Sequence, residues 1–382
     1  MEPMKFYFDV RDIFRAPRLA LSGKKIWVFL KANLIGFAIY WICTYLAMVV
    51  NGNNITEMIQ QFGLYPCIYS LENTSIFSHI IYWIGVATWI LLIFFACTGV
   101  SRVTYKQLKG DDFYSISDTN KFVKNHRIPI FMSWISILLI ALFFVVGAVI
   151  FALIGKIPFI GEILFALLYF LYFFGAVFTI YTLVVFIVSF IYSPSIVATM
   201  EEDTMGTVFQ SYSITWSQPW RIVLYHLVLI PILGICVHIL KLFWLAGYKF
   251  INIIFGVNWL MGEKLRNITG RATDLINPGI KLCCDMKSCG NSELHSLLSL
   301  QKGVVLSTSE YIAGTILAIM LFIILFSIIS YGLSIMSVGE TIILTILKKK
   351  SNDDNLLEHS DEDDIEDEEN DENGDQETEK NT

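Results

Sequence analysis

The sequence predicts an all-α membrane protein, a polytopic transmembrane helical bundle of about six spans. Of its 382 residues, 55% are apolar and 16% are charged. Soluble domains usually carry about a quarter charged residues. Six stretches of the chain also reach the roughly 20 mostly apolar residues that a helix needs to cross a bilayer. This composition excludes an ordinary soluble enzyme, a DNA-binding domain and a disulfide-rich secreted module.

The chain begins with a segment that is predicted to form an interfacial amphipathic helix over residues 5–16. Phe6, Val10 and Ile13 recur at helical spacing, with charged residues between them. Such a helix lies in the headgroup region of one leaflet or packs under the bundle. Pro17 is expected to end it and to turn the chain towards the first span.

The predicted spans follow in order along the chain. They are residues 32–50, 80–100, 130–154, 163–191, 222–240 and 311–333. The fourth is long enough to require a tilt or a bend, and Pro231 lies inside the fifth. A seventh apolar segment, 242–260, contains Lys249, and we interpret it as an interfacial or re-entrant helix rather than a span.

The distribution of Lys and Arg predicts how the spans are oriented. Seven such residues precede the first span and six lie in the loop 101–129, whereas the loop 51–79 has none. Three more follow the sixth span as Lys348, Lys349 and Lys350. Because short cytoplasmic loops are enriched in basic residues, both termini are predicted to be cytoplasmic, in a plasma or inner membrane.

Few ionisable side chains lie near the spans, and each is a candidate because burial of a charge in a membrane costs several kcal/mol. Glu340 lies close to the end of the sixth span, where it can pair with Arg102 or Arg18. His226 and His238 lie near opposite ends of the fifth span. We expect both histidines to be hydrogen-bonded packing residues rather than a proton relay.

Four of the seven cysteines fall on the predicted outer side. They are Cys67, Cys283, Cys284 and Cys289. This distribution suits an oxidising compartment and predicts that Cys67 forms a disulfide with the cluster in the insert 241–310. Free thiols and a metal site stay open as alternatives, although the spacing lacks the usual Cys-x2-Cys pairs and a nearby His.

A group of motifs joins the fourth span to the fifth. Residues 193–203 combine a Pro with an acidic turn, and a short amphipathic segment, 206–215, follows them. Trp216, Trp220 and Arg221 then lead into the fifth span. Because Trp side chains favour the headgroup region, we expect these residues to be interfacial.

These motifs resemble the six-span membrane domain that is fused to bacterial glycerophosphodiester phosphodiesterases and shared by related uncharacterised integral membrane families. Gly99-Val100-Ser101-Arg102 and Gly339-Glu340-Thr341 fit the same pattern. The resemblance covers about residues 10–240 and 310–350. It implies an accessory membrane domain without the phosphodiesterase activity, because the chain lacks the soluble phosphodiesterase barrel.

The last part of the chain is predicted to be a disordered acidic tail. Residues 351–382 contain sixteen acidic residues and one basic residue, Lys380, so the tail carries about −15. Since the whole chain carries −7, residues 1–350 carry about +8. Such low apolar content and high charge cannot form a core.

The predicted organisation follows from these elements. It comprises an interfacial segment (1–31), five spans (32–240), an outer insert (241–310), the sixth span (311–350) and the tail (351–382).

The sequence favours a non-enzymatic integral membrane protein that acts as a scaffold or accessory subunit. It contains no phosphate-binding loop, no His-Glu-x-x-His pair and no Gly-x-Ser-x-Gly turn, so we expect no cofactor and no bound metal. The expected partners are the lipid bilayer and a protein that contacts the outer insert or the acidic tail, and no nucleic acid. The alternative is a channel or transporter for lipids or small apolar molecules, and a weaker one is a membrane-embedded lipid-modifying enzyme.

Overall fold

A computed structural model describes residues 6–70, 74–284, 306–353 and 355–358. Regular structure in these residues is helical, without a strand, which confirms the all-α class. The helices are α1 (Val10–Ile13), α2 (Ala16–Ala20), α3 (Gly23–Val50), α4 (Ile55–Phe62), α5 (Ile76–Lys109), α6 (Ile116–Asn125), α7 (Arg127–Ile154), α8 (Ile160–Met200), α9 (Thr204–Ser217), α10 (Pro219–Phe255), α11 (Glu263–Cys284) and α12 (Thr308–Asn352). Short 3-10 helices lie at Ile68–Ser70 and Leu356–Glu358.

Six of the described helices are long and apolar enough to cross a membrane. They are α3, α5, α7, α8, α10 and α12. Each contains one of the six predicted spans, and all extend beyond it at the N-terminal end, while α3 and α7 end where the predicted spans end. Apolar content therefore located the spans, while helical structure continues into their polar flanks.

The fifth long helix corrects the prediction for residues 242–260. Helix α10 runs without a break to Phe255, so most of the segment that we expected to be a re-entrant or interfacial helix continues the fifth span. Pro231 lies inside α10, and a membrane helix tolerates such a Pro because neighbouring groups satisfy the freed carbonyl. The chain turns only after Phe255, and Gly262 adopts a positive φ of 49° just before α11 begins.

The N-terminal helix is shorter than predicted. Within residues 5–16, only α1 forms a complete helical segment, because Phe8 has a φ of 55° and Asp9 is the N-cap of that helix. Asp12 is buried and its carboxylate accepts a hydrogen bond from the backbone N–H of Tyr7 at 3.0 Å. Pro17 lies in the first turn of α2 rather than ending a helix, a position that requires no backbone donor.

The predicted tail is ordered where it leaves the last span. Helix α12 continues through the three lysines to Asn352, and Leu356 is buried in the 3-10 helix that follows. The Tyr105 hydroxyl donates a 2.7 Å hydrogen bond to the Leu356 carbonyl. The remainder of the predicted tail, from residue 359 onwards, lies outside the described residues.

The chain forms two compact units, each assembled from separate stretches. Unit 1 takes the described residues within Met1–Leu19, Cys97–Pro231 and Ile335–Thr382. Unit 2 takes those within Ala20–Ala96 and Ile232–Ser334.

An aromatic cluster forms the core of unit 2. The rings of Phe37 and Phe322 lie 4.6 Å apart, and those of Phe322 and Phe326 lie 4.5 Å apart in an edge-to-face arrangement. Trp89 packs edge-on against Phe37 at 5.8 Å. These rings join α3, α5 and α12, and such edge-to-face contacts add to the free energy of simple burial.

The buried side-chain amide of Asn33 links the same three helices of unit 2. The Asn33 side chain donates to the Ser330 hydroxyl at 3.2 Å and accepts from the Trp89 indole N–H at 3.3 Å. Asn33 is only 1% exposed. A polar group of this kind links helices that have no hydrophobic driving force between them in a bilayer.

Replacing Asn33 by Leu is therefore expected to lower the free energy of unfolding by about 1 kcal/mol, the usual contribution of an interhelical hydrogen bond in a membrane protein. Equilibrium unfolding in mixed SDS–detergent micelles, followed by circular dichroism, measures the change. Ser136→Ala is the matched control, because the exposed Ser136 hydroxyl bonds only within its own helix, to the Met132 carbonyl. Equal stability of the two variants would contradict the linking role of Asn33.

Helices α7 and α8 form a hairpin in unit 1, joined by the short loop 155–159. The buried residues of α7 are Ile130, Ser133, Ile137 and Ala141, and none lies beyond the middle of the helix at Ala141. Along the rest of α7 no residue is buried, and α8 is buried almost only from Thr182 onwards. The far half of the hairpin thus exposes Leu, Ile, Val and Phe side chains on every side, as suits contact with lipid or with another membrane helix.

Candidate functional site

A buried arginine organises the polar interior of unit 1. The guanidinium of Arg102 on α5 forms an ion pair with the Glu201 carboxylate, with Nη2 at 2.6 Å from Oε1. Its Nη1 donates to the Ala198 carbonyl at 3.1 Å, and its guanidinium carbon lies 4.4 Å from the centre of the Phe122 ring. We call these four residues the Arg102 clasp. Arg102 itself is fully buried, so its charge depends on this surrounding shell.

The position of Glu201 follows from the way α8 ends. Helix α8 stops at Met200, and Glu201 adopts the left-handed conformation with a φ of 53° while its N–H bonds to the Val197 carbonyl. This arrangement caps the helix. It also directs the Glu201 side chain back to α5 instead of along the α8 axis.

The two acidic residues that follow Glu201 have different partners. The Glu202 carboxylate accepts a 2.9 Å hydrogen bond from the Gln210 amide. Asp203 is the N-cap of α9 and accepts from the backbone N–H of Gly206 at 2.6 Å. The acidic turn thus provides three contacts, which are the ion pair with Arg102, the hydrogen bond with Gln210 and the N-cap of α9.

Three serines connect three helices beside the clasp. The Ser101 hydroxyl lies 3.2 Å from that of Ser195 and 3.1 Å from that of Ser337. Ser337 also donates to the Cys97 carbonyl at 3.0 Å. All three serines are fully buried. Their small side chains allow α5, α8 and α12 to approach closely and to be linked by hydrogen bonds.

The end of α12 is tied to the corner between α9 and α10. The Lys348 ammonium donates to the Gln210 side-chain carbonyl, and Lys348 is only 4% exposed. The Gln218 amide donates to the Leu347 carbonyl at 3.2 Å. The basic ending of the sixth span is therefore partly buried in the protein rather than wholly presented to lipid.

Glu340 is buried on α12, at 6% exposure, but the expected ion pair with Arg102 is not present. Arg102 instead pairs with Glu201, and the described residues give Glu340 no ion pair or hydrogen bond of its own. The physical reason is that α12 brings Ser337, one turn earlier, against Ser101, while the acidic turn after α8 reaches Arg102. Arg18 also shows no ion pair with Glu340 within the described chain.

The two histidines lie in different surroundings. His226 has its Nδ1 at 2.9 Å from the Ile222 carbonyl of its own helix and 3.5 Å from the Tyr192 hydroxyl. His238 is exposed on α10. Within the described residues the two histidines share no contact, and the hydrogen-bonded role that we expected of both is seen for His226 only.

The residues that were expected to be interfacial are all exposed. Trp216 is 78% and Trp220 82% exposed, and Arg221 is also exposed. Pro219 is the first residue of α10, directly after α9 ends, as its missing N–H favours. Sequence reasoning did not single out Glu201, Gln210 or Gln218, and it used Lys348 only for the orientation of the spans. The only signal for Glu201 was the run of three acidic residues after α8.

The predicted disulfides stay a prediction. The side chains of Cys283 and Cys284, and all of Cys289, lie outside the described residues. No disulfide occurs among the cysteines whose side chains are described, which include Cys67. Across the described ranges there is also no group of three or more His, Cys, Asp or Glu residues that could hold a metal ion.

The chain matches no protein-family model, no curated protein and no solved structure.

Proposed function

We propose that the chain is a non-enzymatic integral membrane protein that acts as a scaffold or accessory subunit and contacts lipid or partner proteins. The observation that carries the proposal is that three long buried polar side chains of unit 1 each bond to an acceptor within that unit. Arg102, Gln218 and Lys348 each donate to an acceptor of the same unit. A transport pathway or an active site would need such groups to face a ligand.

The far half of the α7–α8 hairpin supports a contact role. Leu167 is 77% and Phe170 is 74% exposed, and many other apolar residues on both helices are also exposed. A pair of helices with apolar side chains on all faces has surface available for partner helices as well as for lipid. The resemblance to an accessory membrane domain points to the same role, and the basic loops favour cytoplasmic termini.

A photo-crosslinking amino acid at position 167 or 170 tests the scaffold role in intact membranes. We expect both positions to crosslink to one protein of defined mass in addition to lipid. The matched control is position 137, because Ile137 is buried inside unit 1 and should give only crosslinks within the chain. Crosslinks to lipid alone from both exposed positions would contradict a scaffold that binds through this hairpin.

Reconstitution separates this proposal from a transporter. Purified protein in liposomes is expected to leave the rates of fluorescent phospholipid translocation and of monovalent ion flux at those of protein-free vesicles. A vesicle preparation with a lipid scramblase serves as the positive control. A sustained rate that rises with the amount of protein would overturn the non-transporting role.

A further inference from the structure

A polar groove of about 370 Å³ lies where α9 meets α10 in unit 1. It is lined by Ser217, Gln218, Pro219, Trp220, Arg221, Lys350 and Ser351. We call it the α9–α10 groove. Its two charged lining residues are both basic, and neither the Arg102 clasp nor the serine cluster contributes to it. Its position at the start of α10 adds the positive end of a helix dipole.

Helix α9 has an exposed apolar face beside this groove. Its exposed side chains include Met205, Phe209 and Trp216, which are 61%, 70% and 78% exposed and share one face of the helix. Its buried side chains are Thr207, Val208, Ser211, Ile214 and Thr215. A helix on a water-exposed surface carries polar residues on its outer face, whereas α9 has three large apolar residues there. The outer face of α9 is therefore suited to the apolar side of a membrane interface.

The two Trp residues indicate at which level of the bilayer the groove lies. Trp216 ends the exposed apolar face of α9, and Trp220 lines the groove one helix later. Exposed Trp side chains concentrate at the level of the lipid headgroups. The groove between them is thus expected to lie where the phosphates of a leaflet lie, and not in the aqueous phase.

Each basic side chain of the groove donates a hydrogen bond to a neighbouring residue and has further N–H groups that can bind a ligand. Arg221 Nη1 donates to the Gln218 side-chain oxygen at 2.9 Å, which leaves most of the guanidinium's five donors for a ligand. Lys350 Nζ donates to the Asp9 carboxylate at 2.8 Å. Hydrogen bonding and charge attraction from Lys350 lower the pKa of Asp9. Asp9 does not line the groove, but its ion pair with Lys350 offsets one of the two positive charges. Arg221 thus carries the positive charge that no carboxylate of the lining offsets.

From this geometry we infer that the α9–α10 groove binds the phosphate group of an anionic phospholipid from the surrounding leaflet. Arg221 and Lys350 contact the phosphate, and the acyl chains follow the exposed apolar face of α9. Arg suits a phosphate because its planar donors match two phosphate oxygens, while Lys acts as a point charge. The inference needs only that the chain lies in a bilayer, and it does not depend on the scaffold role.

Native mass spectrometry of the full chain in detergent, titrated with phosphatidylglycerol, tests the site. We expect one phosphatidylglycerol to bind well before further copies, and phosphatidylcholine to bind more weakly. The double variant Arg221→Gln/Lys350→Gln is expected to weaken the first binding step about thirtyfold, since each of the two basic residues near an anionic headgroup contributes on the order of 1 kcal/mol. Lys349→Gln is the matched control, because Lys349 loses the same charge one residue away and does not line the groove.

Each other outcome decides against the inference. Wild-type affinity in the double variant, or an equal loss in Lys349→Gln, would overturn it, because only general attraction between charges would remain. Displacement of the bound lipid by millimolar inorganic phosphate would show that the groove binds free phosphate instead. If the double variant fails to fold by circular dichroism, Arg221→Gln alone gives the test, since the Arg221 side chain is exposed and its loss leaves no cavity.

Discussion

Replacing Glu201 by Gln should lower the free energy of unfolding by about 3 kcal/mol, because removal of one partner of a buried ion pair is strongly destabilising. Arg102 is fully buried, and its guanidinium lies 2.6 Å from the Glu201 carboxylate. Gln has the shape of Glu and the same tolerance of the left-handed conformation at this position. The substitution therefore isolates the loss of charge from the loss of packing.

The neighbouring residue provides a matched control for this prediction. The Glu202 carboxylate accepts a hydrogen bond from the uncharged Gln210 amide, lies in the same turn and has no ion pair with a buried guanidinium among the contacts described. We expect Glu202→Gln to change stability by less than about 1 kcal/mol, the contribution of an ordinary hydrogen bond. Equilibrium unfolding in mixed SDS–detergent micelles compares the two variants.

A second substitution separates the ion pair from other effects of the Glu201 change. The double variant Arg102→Met/Glu201→Gln no longer contains the buried guanidinium, so part of the stability lost in Glu201→Gln should return. A double-mutant cycle measures this coupling. If Glu201→Gln proves as stable as Glu202→Gln, the Arg102 clasp does not hold unit 1 together.

The sequence was sufficient to locate the spans because the requirement is local. About 20 apolar residues identify a membrane helix whatever it packs against, and each of the six predicted spans lies inside one long helix. The ends were less predictable. In α12 the last turns contain Lys348, Lys349 and Lys350, and hydrogen bonds and ion pairs to the rest of unit 1 keep them helical in spite of their charge.

The Arg102 clasp could not be predicted because its contacts join residues that are far apart in sequence. Arg102 and Ala198 are 96 residues apart in sequence, and nothing in the local pattern shows which carboxylate reaches the guanidinium. Glu340 was favoured because apolar residues surround it, yet Glu201 reaches Arg102 through the left-handed end of α8. The α9–α10 groove also depends on residues far apart in sequence. Arg221 was recognised as interfacial, but the presence of Lys350 beside it in the groove depends on how α12 ends.

Replacing Gly85 by Val is expected to lower the free energy of unfolding by about 2 kcal/mol, because it adds volume where two helices already touch. A Cβ atom on Gly85 would lie 2.8 Å from the Cβ of Cys43 and 3.4 Å from the Cα of Tyr40. These are atoms of α3 close to its backbone, so they cannot move aside without shifting the helix. Unfolding in mixed micelles again gives the measurement.

The close approach at Gly85 matters because van der Waals packing is a main source of helix association in a bilayer. Gly147 on α7 is the control, since a Cβ atom there would meet no heavy atom within 4 Å. Gly147→Val should change stability by no more than about 0.5 kcal/mol, as is usual for a substitution away from packed surfaces. The difference between the two variants then separates a glycine required by helix contact from one that faces lipid. Equal effects at both positions would mean that α3 and α5 do not depend on close packing in unit 2.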